Sequence, residues 1–262
     1  MNIKKRVAIC LKGAMSKRTG NLHTKELFDQ YTLNKPNYCD FVSVYNCFLE
    51  HIIKPNIEKY DIDIFLQSWN PDLKEELINL YKPVSYLFED NNLYSNEFQK
   101  HIAENDYLHK YAWASSSLAI KKSIELKEEY ENKNNLKYDL VLIYRPDLIL
   151  IKDMNFDNYN VENGVVYSNY TNINLVVPKA GQGEYYWIMS NETSNKFKLI
   201  YEADYKDKFL VHQGAYYFIK DVVGSEEKND DIRHGVDVTA ARTEMLIDLQ
   251  PGVNLKKYGF NF

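Results

Sequence analysis

The chain has 262 residues, a formal net charge of −5 and 45% hydrophobic residues, enough for one sizeable core. The acidic balance gives no broad electrostatic footprint for nucleic acid, while a local basic pocket for phosphate stays open. No apolar run reaches membrane-spanning length, and the run after the basic Met1–Arg6 edge is too short for a signal peptide. Cys10, Cys39 and Cys47 lack metal-ligand spacing and read as reduced thiols, which fits a cytoplasmic setting.

The first element is the apolar run Val7–Leu11, a buried strand that stops at Lys12-Gly13. Residues 15 to 36 are polar and poorly periodic; a loop of that length inside a compact domain is usually functional or mobile. Val42 to Tyr60 reads as a helix despite Pro55. Ile62–Gln67 is the next strand, ended by Ser68-Trp69-Asn70-Pro71. A short helix over Asp72–Leu80 and a strand over Pro83–Phe88 follow. Tyr107–Tyr130 is the clearest helix, with Trp113, Ser117, Ile120 and Ile124 at helical spacing. The polar stretches 131–137 and 224–231 read as surface loops.

Leu140–Tyr144 is apolar on both faces, the mark of a central strand covered by helices on each side. Pro146 cannot donate to a ladder, so this strand ends or kinks at Arg145-Pro146-Asp147, and Leu148–Ile151 starts another. Gly164–Ser168 and Ile173–Val177 read as strands. Phe209–Val223 mixes signals, and Thr239–Leu249 reads as a helix. Strands alternating with helices predict an α/β fold with a mostly parallel central sheet and a mixed, antiparallel C-terminal part.

In such sheets ligands bind beyond the carboxyl ends of the strands. Arg145 and Asp147 stand just past the most buried strand. Asp147 suits a divalent metal bridging a diphosphate, and the planar fork of Arg145 suits the phosphate oxygens. The alternative is a salt bridge that closes the strand end. Gly13 permits close backbone approach, and Lys12, Lys17 and Arg18 supply positive charge, although neither a Walker loop nor a dinucleotide-binding Gly pattern is present. Trp69 and Asn70 fall on the same sheet edge; the Trp ring either stacks on a base or sugar or is packed in the core. His212, in His212-Gln213-Gly214, suits a base or ligand role, and His234 is weaker; the acids Asp237 and Glu244 are further base candidates. No nucleophile elbow, zinc spacing or EF-hand loop occurs.

The run Asp61-Ile-Asp-Ile-Phe-Leu-Gln-Ser-Trp69-Asn70, followed by a long helix and Tyr138-Asp-Leu-Val-Leu-Ile-Tyr-Arg145-Pro-Asp147-Leu, resembles the small GT-A-like glycosyltransferases of bacterial polysaccharide clusters and large DNA viruses, chlorella-virus types included. The resemblance covers roughly residues 6 to 151. It implies a single GT-A-like domain over 1–262, with a nucleotide-sugar-binding half, 1–151, and an acceptor-side half, 152–262. It also implies a nucleotide-sugar donor, a glycan or other hydroxyl acceptor, and Mn²⁺ or Mg²⁺. Asp147 matches the last acid of an Asp-x-Asp-like site, with Arg145 where the first acid would stand. His212 takes the place of an Asp in a later family segment. A different class of function, a non-catalytic nucleotide- or carbohydrate-binding protein, is motivated by that missing first acid.

Overall fold

The computed structural model describes residues 4–15, 41–99, 107–150, 153–170, 182–203, 218, 232–234 and 240–242. Nine strands are placed there: β1 (Lys5–Leu11), β2 (Tyr60–Ser68), β3 (Ser85–Phe88), β4 (Leu140–Tyr144), β5 (Leu148–Leu150), β6 (Val166–Tyr170), β7 (Gln182–Met189), β8 (Ile232–His234) and β9 (Ala240–Arg242). The α-helices are α1 (Phe41–Phe48), α2 (Lys74–Tyr81), α3 (Ser95–Gln99), α4 (Tyr107–Asn134) and α5 (Asn191–Phe197). Seven strands form one sheet in the order β3-β2-β1-β4-β7-β6-β8. The β3-β2-β1-β4 part is parallel, and β7 runs antiparallel to both β4 and β6. This is the mixed α/β sheet expected from the alternating pattern.

Alternation along each strand divides the core into two layers. Val7, Ile9, Leu11, Leu66, Leu142, Tyr144 and Ile188 face α1, α2 and β5. Ala8, Cys10, Phe65, Val141, Ile143 and Trp187 face α4 and α5. Because β1 and β4 are covered on both sides, they read as unbroken apolar runs. Burial pushes the Cys10 thiol up to about 12, against the pull of Lys127.

Several local expectations change. The helix expected over Val42–Tyr60 is α-helical only to Phe48, continues as a π-turn over Leu49–Ile53 and gives way to turns before β2. Pro55 has no N–H to continue the ladder. The stretch from Glu131 is not a surface loop at its start: α4 runs to Asn134, and Glu131 is buried and ion-paired with Lys127. Ala240–Arg242, expected at the start of a helix, is the strand β9, paired antiparallel with β5 in a separate two-stranded sheet. The expected strand over 173–177 lies outside the described residues, as does all of 209–223 except the buried Phe218. Among the described residues no helix is long and apolar enough to cross a membrane.

Candidate functional site

The strand order reverses direction between β1 and β4, since β2 and β3 extend the sheet on one side of β1 and β4 lies on the other. Such a switch point opens a crevice at the carboxyl ends of the two strands. Lys12-Gly13 leaves β1 there, and Arg145-Pro146-Asp147 leaves β4. The Lys12 N–H donates to the Tyr144 carbonyl at 3.1 Å, so the ladder extends one step beyond β1 before the chains part. The Tyr144 hydroxyl donates to the Leu148 carbonyl at 3.1 Å and braces the turn around Pro146. Burial holds that phenol well above its usual pKa.

The turn after β1 is tied to the turn after β2. The Gly13 N–H donates to Gln67 Oε1 at 3.0 Å, the Trp69 N–H to the Gly13 carbonyl at 3.3 Å, and the Met15 N–H to Asn70 Oδ1 at 2.8 Å. Gly13 has φ +101°, a backbone conformation that favours glycine, and among the described residues nothing lies within 4 Å of where a Cβ would sit.

The side chains divide by what they touch. Lys12 is buried; its Nζ donates to Ser116 Oγ of α4 at 2.8 Å and sits 5.3 Å from the centroid of the Trp187 ring. Arg145 donates twice to Asp147, Nε to Oδ1 at 3.0 Å and an Nη to Oδ2 at 2.6 Å, with the two side chains 14% and 17% exposed. This two-bond fork is the strong form of the pair, and it is the salt-bridge alternative left open by the sequence. Trp69 is packed beside Tyr94 and with Phe98, Ala114 and Leu118, the core alternative to a stacking platform. Asn70 is buried, and its carbonyl oxygen is engaged by Met15. Arg18, Lys17, His212, Asp237 and Glu244 lie outside the described residues.

A hard divalent cation collects about six oxygen ligands. Both Asp147 oxygens already accept from Arg145, and among the described residues no group of three or more His, Cys, Asp or Glu side chains is placed to hold a metal ion. The described residues therefore do not fit Mn²⁺ or Mg²⁺ at Asp147 as they stand.

One residue of this edge escaped the sequence reading. Gln67 looks like the polar end of a strand, yet it is completely buried and holds the Gly13 turn. The signal was available: Gln67 shares the parity of Phe65, which faces the core.

No protein-family model matches the chain, and no curated protein does. Among solved structures it is similar to the apo form of the glycosyltransferase GlyE of Streptococcus pneumoniae TIGR4, at 10% identity and TM-score 0.38, over 89% of this chain and 45% of that one. A second GlyE structure gives 10% identity and TM-score 0.38, over 88% and 45% of the two chains. The apo WbbM bifunctional glycosyltransferase gives 14% identity and TM-score 0.40, over 89% and 39%. The chain thus spans less than half the length of each of these proteins. At these scores the overlap is too slight to transfer an activity to this chain.

Proposed function

We propose that this protein is a GT-A-like glycosyltransferase that moves a sugar from a nucleotide-diphosphate sugar to a hydroxyl acceptor, most simply a glycan. The observation that carries the reading is the meeting of Lys12-Gly13 and Arg145 at the β1/β4 switch point, joined by the Lys12 N–H to Tyr144 carbonyl bond. Two cationic residues and a glycine backbone at the carboxyl edge of a parallel sheet suit a diphosphate. The motif resemblance of residues 61–70 and 138–148 supplies the sugar donor.

When the glycosidic bond of such a donor breaks, negative charge grows on the leaving diphosphate, and preplaced cations lower that barrier. In this proposal Arg145 and Lys12 carry that task, and Asp147 orients the guanidinium. His212 is the proposed acceptor-side base. Arg18, Trp69 and Asn70 stay with the donor side of the proposal, Asn70 through the backbone it holds. Mn²⁺ or Mg²⁺ enters only as a variable of the test, and no step is routed through it. A cytoplasmic setting belongs to the same proposal.

The commitment of both Asp147 oxygens to Arg145 favours a second reading, a protein that binds a nucleotide sugar without turning it over. Thermal-shift titration with UDP-, GDP- and TDP-linked sugars, each with Mn²⁺ and with chelator, tests binding. No stabilisation by any of them sinks both readings. Donor turnover in wild type and Asp147→Ala then separates transfer and hydrolysis from binding alone.

A further inference from the structure

Gln67 sits at the carboxyl end of β2 and is fully buried. Its Oε1 accepts the Gly13 N–H at 3.0 Å. A backbone N–H can only donate, so this bond settles which end of the amide is oxygen. The Nε2 group is left with two donors and, among the described residues, has no hydrogen-bond partner. A buried donor without a partner is costly.

Register shows what surrounds it. Phe65, Cys10, Ile143, Trp187 and Ser168 form one cross-strand row on the α4 face. One step further toward the carboxyl edge come Gln67 and Lys12 on neighbouring strands. Lys12 reaches over to Trp187, whose buried indole Nε1–H likewise lacks a partner among the described residues. The edge beside Gly13 is therefore rich in donors: an amide, an ammonium and an indole N–H. Its chemical complement carries acceptors only, as phosphate oxygens do. A second buried polar cluster, around Lys127, is paired internally: Lys127 bonds Asn191, Ser194 and Asn195, and Glu131 Oε2 is ion-paired with it at 3.4 Å.

We propose that Gln67 Nε2 is a binding donor for a diphosphate oxygen and that the Gly13 N–H orients it, an assignment that rests on the nucleotide-sugar reading for its ligand. Nε2 is enclosed, so engagement requires a shift of the Gly13 turn, whose Cα faces open space among the described residues.

Calorimetric titration of wild type, Gln67→Glu and Gln67→Leu with inorganic pyrophosphate and with UDP- and GDP-sugars tests this. Gln67→Glu keeps the acceptor for Gly13 but exchanges the donor for a negative charge; Gln67→Leu removes donor and acceptor together without adding charge, so the two variants share only the loss of the donor. Both variants are expected to bind about fivefold or more weakly, the loss of one hydrogen bond to an anion. A smaller change, with nucleotide sugars still bound by wild type, overturns the assignment and leaves the nucleotide-sugar reading standing. If pyrophosphate binding is lost in the variants while no nucleotide sugar binds wild type, the assignment holds and the sugar-donor reading fails. If wild type binds neither, both fall. Should the variants not fold, a crystal structure of wild type with pyrophosphate decides: a phosphate oxygen within about 3.2 Å of Nε2 supports the assignment, and water or a distant phosphate overturns it.

Discussion

Asn70 Oδ1 accepts the Met15 N–H at 2.8 Å, and this bond locks the turn leaving β1 onto the turn leaving β2. Ser68 Oγ in turn accepts the Asn70 N–H at 3.1 Å, so the asparagine is held from both ends. Asn70→Ala strands a buried backbone donor, which costs about 1–3 kcal/mol. Asn70→Asp keeps the acceptor and is expected to lose less. Urea unfolding of the three proteins, read from the midpoint at constant m-value, checks this; equal midpoints for Asn70→Ala and wild type would show that the bond is dispensable.

Lys127 and Glu131 form a fully buried i,i+4 ion pair at 3.4 Å on α4. Lys127 also donates to Asn191, to Ser194 Oγ at 3.2 Å and to Asn195 Oδ1 at 2.7 Å, while Glu131 accepts from the Tyr138 N–H and from Asn191. The pair bolts α4 to α5 and to the loop before β4. Desolvation pulls the Lys127 pKa down, with Glu131 among the charges that oppose it. Breaking a buried pair from one side costs about 3–5 kcal/mol, because the other charge stays behind. Lys127→Met is therefore expected to be strongly destabilised, and Lys127→Met with Glu131→Leu to lose less than the two single losses added. Additive losses in a denaturation cycle would show that the two charges do not interact.

What could be read from the sequence follows the range of the forces involved. β1, β2, β4 and α4 announce themselves because burial on one or two faces is written into a local period. β9 does not: Ala240–Arg242 has a helix-compatible composition and becomes a strand by pairing antiparallel with Leu148–Leu150. β7 is not legible locally either, since Gln182–Met189 is held in the sheet by pairing with β4 and β6. At the site, position relative to strand ends was readable for Lys12, Gly13, Arg145 and Asp147. Which side chain each would bond to was not, because Arg145–Asp147 pairing and ligand binding draw on the same chemistry.

Burial raises several of the phenols, and the expected consequence is a loss of stability at alkaline pH. Tyr60 is pushed up to about 12, first by burial and then by its hydrogen bond to Asp157. Tyr138, Tyr144 and Tyr201 are raised further, burial again leading. A phenol whose folded pKa exceeds its unfolded value of 10.0 binds its proton more tightly in the native state. Its contribution is complete below pH 10 and disappears as the pH rises through the folded value. Stability is expected to fall steeply from about pH 10 upward, with a shallower slope in Tyr60→Phe. Ultraviolet titration of tyrosinate should show these phenols ionising together with unfolding. Smooth titration of all 22 tyrosines near pH 10 in folded protein would contradict the buried assignments.

The Arg145–Asp147 fork makes opposite predictions from a metal site built on the same aspartate. If Asp147 serves a divalent cation, donor affinity rises with Mn²⁺, falls with chelator, and that dependence vanishes in Asp147→Ala. If Asp147 serves Arg145, chelator leaves wild-type affinity unchanged, and the guanidinium itself meets the phosphate charge. Arg145→Lys then separates charge from geometry: an ammonium keeps the positive charge but cannot make the two parallel bonds seen to Oδ1 and Oδ2. We expect Arg145→Lys and Asp147→Ala each to weaken UDP- or GDP-sugar binding about tenfold, the scale of one charge-assisted hydrogen bond, with and without Mn²⁺ alike. Calorimetric titration in chelator and in Mn²⁺ measures it. A wild-type affinity that collapses in chelator would return Asp147 to the role of metal ligand and make its bond to Arg145 a resting contact that the cation displaces.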